Sequence, residues 1–182
     1  AVNQALRFLF LPIVLRTLAP AELGVFDSSR MLLLIAAPLV ALGMESAVAI
    51  LINERGGREQ MARWMSTGLA AVCISAVFFG ILGILFNRWL YQILLGGAGD
   101  IRVLWLVIVL TVLTPIAEYC RNLLKWQFRR AAYVVLLLGE ALLTLGIGII
   151  LVSVLHLGVF GWVLAVLVAS VAHLLGAVWA NR

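Results

Sequence analysis

Arg121-Asn122-Leu123-Leu124-Lys125-Trp126-Gln127-Phe128-Arg129-Arg130 places four cations within ten residues, with a long apolar run on either side. A Lys or Arg at bilayer depth costs roughly 2.5–3.5 kcal/mol on insertion scales. The stretch therefore reads as a loop in water or among headgroups, and a cationic loop between two spans is most stable on the cytoplasmic face. That placement fixes the direction of every other span by alternation.

Composition requires a membrane around that loop. Of 182 residues, 65% are hydrophobic and only 12% charged, against roughly a half and a quarter in soluble domains. No soluble fold of this size buries such a surplus, so the class is an all-α polytopic membrane protein. The net charge of +5 would suit nucleic acid, but the cations lie in short loops between apolar runs. They read as topology determinants and contacts to membrane lipids, and no nucleic-acid partner is expected. Cys73 and Cys120 lack CxxC spacing and read as small buried apolar residues. The chain starts at Ala1, already inside an apolar segment and without the basic start and cleavage site of a signal peptide. It reads as a fragment cut from a longer protein.

Six spans follow in order. The first covers about 1–18, interrupted by Arg7, and Arg16 to Gly24 punctuates its end with Pro20 and Gly24. The second covers about 25–52 and the third about 64–89, separated by the charged loop Asn53 to Glu59. The fourth runs from about 102 to 119, the fifth from about 133 to 155, and the sixth from about 159 to 180. About 20 residues at 1.5 Å each cross a hydrocarbon core of about 30 Å, and none of the runs alternates as a barrel strand would. With the Arg121–Arg130 loop inside, that face carries Arg55, Arg58, Arg63, Arg121, Lys125, Arg129, Arg130 and Arg182. The other face carries Arg16, Arg30, Arg88 and Arg102, which satisfies the positive-inside bias. Trp64, Trp126 and Trp179 fall at the inner boundary and Trp89, Trp105 and Trp162 at the outer one, where indoles settle. Both ends are expected in the cytoplasm.

Ionisable groups at membrane depth are the functional suspects. Arg7 and Arg30 could face a water-filled cavity and hold an anionic headgroup, since a guanidinium pairs with phosphate bidentately. Arg30 could equally snorkel outward or pair with Asp27. Glu45, Glu140 and His173 lie in the inner half of spans two, five and six. They could form the proton- or cation-sensitive site of a gradient-driven carrier, or each could be satisfied by a neighbouring helix. Glu118, close to the inner interface, reads as a partner of Arg121 or as a group that simply meets water. Pro12, Pro38 and Pro115 fall inside spans and bend them. Gly161, Ala165, Ala169, His173 and Ala177 recur at four-residue spacing, a small-residue stripe that marks a helix–helix seam. No phosphate-cradling loop, metal-ligand spacing or catalytic triad is present, and the loops are too short for a catalytic domain. An enzyme, a cofactor and a metal site are not expected.

At Arg16, Leu18, Pro20, Glu22 and Gly24 the chain resembles the polysaccharide flippases of the multidrug/oligosaccharidyl-lipid/polysaccharide exporter superfamily, whose first two spans are joined by an Arg-x-Leu-x-Pro-x-Glu-x-Gly pattern. Leu42-Gly43-Met44, Arg129 with Tyr133, and Leu157-Gly158-Val159-Phe160-Gly161 also fit. The resemblance covers essentially the whole chain. It implies a two-lobe exporter fold of twelve to fourteen spans, with residues 1–182 as one six-span bundle, the N-terminal lobe, and the C-terminal lobe missing. The implied activity is flipping an undecaprenyl-diphosphate-linked oligosaccharide to the outer leaflet of the bacterial plasma (inner) membrane by alternating access. Arg7 and then Arg30 would contact this lipid-linked oligosaccharide, Arg16 and Glu22 would brace the outer turn, and polysaccharide polymerase and glycosyltransferases would be partners. The competing readings are a multidrug exporter of the same superfamily, a membrane-embedded glycan polymerase, and a non-transporting scaffold.

Overall fold

The computed structural model describes residues 20–55, 58–96 and 100–181. These form seven α-helices: α1 (Pro20–Ala41), α2 (Met44–Arg55), α3 (Arg58–Leu85), α4 (Asn87–Leu95), α5 (Ile101–Trp126), α6 (Arg130–Ile149) and α7 (Gly158–Ala180). A π-helical turn, Ile150–Val154, ends α6. There is no strand among the described residues. Five helical segments are long and apolar enough to cross a membrane, namely Glu22–Ala41, Glu59–Leu85, Ile101–Trp126, Arg130–Val154 and Gly158–Ala180. The described residues are thus all-helical in fold, with the build of a multi-pass membrane protein. The expected first span, with Arg7 and Pro12, lies outside the described residues.

The expected second span is not one helix. Leu42 and Gly43 adopt φ of 49° and 66°, in the left-handed region, where a helix cannot continue. Pro38 lies one turn upstream and withholds a backbone donor from α1. The third span is likewise shorter than read. It stops at Leu85, and α4 begins as a separate helix with Arg88, Tyr91 and Gln92 on one side and Trp89 and Ile93 on the other. Trp89 and Ile93 are both exposed, as suits a helix lying at a membrane surface.

α5 is the axis of the bundle. At its N-terminal end Val103, Val107 and Leu110 pack with Phe26 of α1, Val152 of the π turn, and Val159 and Val163 of α7. Toward its C-terminal end Tyr119 and Leu123 pack with Val48 of α2 and Met65 and Val72 of α3. Tyr119 is fully buried and its hydroxyl donates to the Met65 carbonyl at 3.0 Å. Gly68 makes that approach possible, because a Cβ there would run into the Tyr119 hydroxyl. The small-residue stripe of α7 is buried throughout, with Ala165, Ala169 and Ala177 each wholly inaccessible. A large share of the remaining apolar surface is exposed, including Leu34, Ile74, Val135, Leu142 and Leu175, as a lipid-facing surface would be.

Candidate functional site

The basic stretch that reads as a loop is helical over most of its length. No proline or glycine interrupts the chain from Ile116 to Trp126, so α5 continues to Trp126, and only Gln127, Phe128 and Arg129 lie between it and α6. Phe128 takes a φ of 59° to reverse the chain. Continuing the helix carries Arg121 inward instead of out into water. Its side chain is only 11% exposed, among buried Cys120, Leu123 and Leu124.

A guanidinium so enclosed needs charged partners, since an unpaired buried ion is strongly disfavoured. Two helices supply them, and a third joins through one of those partners. Arg121 Nη1 donates to Glu140 Oε2 of α6 at 3.1 Å. Its Nη2 lies 3.9 Å from Glu118 Oε1, one turn back on α5. The Tyr133 ring of α6 covers the guanidinium carbon at 5.6 Å, within cation–π range. His173 of α7, with its side chain 1% exposed, brings Nδ1 to 2.6 Å from the same Glu140 oxygen. The contact lacks hydrogen-bond geometry, and it is an ion pair only when His173 carries a proton. His173 Nε2 and Arg121 Nε are buried with no hydrogen-bond partner among the described residues. Glu45, in the first turn of α2, is half-buried and, like Glu140, acts electrostatically on Glu118.

Beside this cluster the ends of α5 and α7 are tied together. Asn181 Nδ2 donates to the Cys120 and Ala177 carbonyls at 3.0 and 2.7 Å, while Gln127 Nε2 donates to Asn181 Oδ1 at 3.1 Å. Arg129 Nη1 reaches the Ala180 carbonyl at 2.5 Å. Of these acceptors the Ala180 carbonyl, at the last residue of α7, is one that a helix end leaves open.

Of the residues singled out by sequence, Glu140 and His173 come together and Glu45 stands nearby. Arg30 is exposed on α1, apart from them, and among the described residues no ion pair joins it to Asp27. Arg7 lies outside the described residues. Sequence reasoning paired Arg121 with Glu118, as the structure does, but missed its contact with Glu140 and missed Tyr133 and Asn181 as parts of the site. The available signal was the Glu118–Arg121 spacing, which puts both on one helical face, together with the missing helix breaker. Among the described residues no three His, Cys, Asp or Glu side chains converge as a metal site. An apolar recess of about 240 Å3 lies toward the other end of the bundle, between Leu32 and Leu39 of α1, Phe79 and Leu82 of α3, and Phe86 and Trp89. No protein-family model, curated protein or solved structure matches this chain.

The cluster can do two things chemically. It fastens three helices at one point, and it holds ionisable groups at a depth where their charge state alters how those helices pack.

Proposed function

We propose that this chain is one lobe of an exporter that flips an undecaprenyl-diphosphate-linked oligosaccharide across the bacterial plasma membrane, with Arg121, Glu140 and His173 coupling helix movement to an ion gradient. The carrying observation is where the two most distinctive resembling stretches meet. The Glu22 carboxylate lies directly on Gly158, where a Cβ would collide with it. Gly158 holds a φ of +56° at the start of α7, where a carboxylate is favoured by the free amides of the helix end. Glu22 and Gly158 are far apart in sequence, and their contact supports reading the start of α1 and Leu157–Gly161 as one joint between lobe helices. The buried charge cluster supports transport over a scaffold role, because an inert bundle has no need of ionisable groups at depth.

In this reading the lobe faces a second lobe across a cationic cavity, Arg7 and Arg30 contact the diphosphate, and both ends of the chain are cytoplasmic. The test is surface polysaccharide in cells whose full-length protein carries Arg7→Ala and Arg30→Ala. The expected result is loss of surface polysaccharide with unchanged drug susceptibility. Intact polysaccharide with lost drug resistance would replace the flippase with a multidrug exporter, and no change in either would leave a scaffold.

A further inference from the structure

We propose that the apolar recess between α1, α3 and α4 holds one acyl chain of an anionic glycerophospholipid, whose phosphate is taken by Arg88 on the polar side of α4. Such a site needs only a membrane around the helices and is indifferent to what the protein transports. The recess is lined by Ile35 and Leu39 of α1, Phe79 and Leu82 of α3, and Ile108 and Thr111 of α5. Space opens there because the small residues Ala36 and Gly83 face it. The Thr111 hydroxyl already donates to the Val107 carbonyl at 2.9 Å. A sugar or a peptide would lose hydrogen bonds to water in this recess with little to replace them. A hydrocarbon chain loses none.

α4 lends Trp89 and Leu90 to the recess, and Arg88, Tyr91 and Gln92 to a second hollow of about 170 Å3. The two lie at different depths. On α5 the polar hollow reaches Ile101, the first residue of the helix, whereas the recess reaches Ile108 and Thr111. At 1.5 Å per residue these lie about 10–15 Å further in, which is the order in which a phospholipid presents headgroup and chain. Arg88 is exposed, and among the described residues no salt bridge joins it. Asp100 is engaged in capping α5, where its carboxylate accepts from the Arg102 amide at 2.9 Å, and the Arg102 side chain is exposed too. The corner between α4 and α5 is therefore cationic, and a guanidinium grips a phosphate with two hydrogen bonds. An anionic headgroup complements that corner, whereas a zwitterionic one brings a cation of its own.

The test is photolabelling of the full-length protein in phosphatidylcholine nanodiscs that contain a minor share of phosphatidylglycerol with a diazirine in one chain. Adducts are located by peptide mass spectrometry. They should concentrate on Phe79, Leu82 and Ile108, above those on the exposed Leu142 and Leu175. Arg88→Gln should lower labelling of the recess about fivefold, as the loss of one cation beside an anionic headgroup implies, and leave Leu142 and Leu175 unchanged. Ile35→Trp, at a position 59% exposed, narrows the recess without touching the cation and should remove its label as well. A phosphatidylcholine probe with the same chain should label the recess no better than phosphatidylglycerol labels the Arg88→Gln variant. Three results would each overturn the proposal. They are equal labelling of the recess and of Leu142 and Leu175, equal labelling by the two probes, and displacement of the label by a polyprenyl phosphate but not by unlabelled phosphatidylglycerol.

Discussion

α5 and α6 are neighbours, both long and apolar enough to cross a membrane, yet half of the spanning window of α5 is buried and only 6% of that of α6. Hydropathy gives no hint of this. The difference lies in what each helix must satisfy. α5 carries Glu118, Arg121 and the Tyr119 hydroxyl within four consecutive residues, and each finds its partner on another helix or one turn away. α6 carries a single carboxylate, Glu140, turned toward Arg121 and His173, and otherwise leaves Val134, Val135, Leu142 and Leu143 exposed. Within a membrane, burial follows polar side chains and small residues, because lipid is as good a solvent as protein for Leu and Val.

The sharpest way to break the contrast is Arg121→Ala. It removes the guanidinium from Glu140, and removing one partner of a buried pair costs about 3–5 kcal/mol, with the more exposed Glu118 contributing the smaller share. Denaturant titration of the protein in mixed micelles reads this as a large loss of stability, and an unchanged midpoint would mean that the guanidinium is not enclosed. Gly68→Leu comes next, because it pushes Tyr119 out of its seat between α3 and α5. Overpacking of that kind costs about 1–3 kcal/mol, and Tyr119→Phe in the same background should recover part of the loss. Asn181→Ala removes the bonds to Cys120, Ala177 and Gln127 and should cost about 1 kcal/mol, with faster amide exchange at the end of α5. On α6, Val135→Ala at a position 67% exposed should stay within about 0.5 kcal/mol. A larger effect there would show that α6 is covered by a partner and not by lipid.

The helical class and four of the spans were legible because long apolar runs leave no alternative, and the seam on α7 was legible because small residues recur at the spacing of one helix face. Arg121 was not. Four cations in ten residues look like a loop when counted as charges, whereas α5 takes in Arg121 and Lys125 and turns only Arg121 inward, with Arg129 in the turn and Arg130 opening α6. The pairing of Glu140 with His173 was equally hidden, since it depends on how α6 and α7 rotate about their axes, and that is set by contacts such as Leu136 against Gly176. The break at Leu42 was obscured for a different reason, because an exposed leucine at positive φ runs against backbone preference, and Pro38 and Gly43, its only local signals, are tolerated inside membrane spans.

That break has a mechanical meaning. A continuous α-helix behaves as a stiff rod, so a twist applied at one end arrives at the other. Leu42 and Gly43 act as a universal joint between two shorter rods, one seated on the greasy shoulder of the bundle and the other beside the acidic side chain of Glu118. Torque generated at the charged end can thus be absorbed at the joint, leaving the far shoulder at rest.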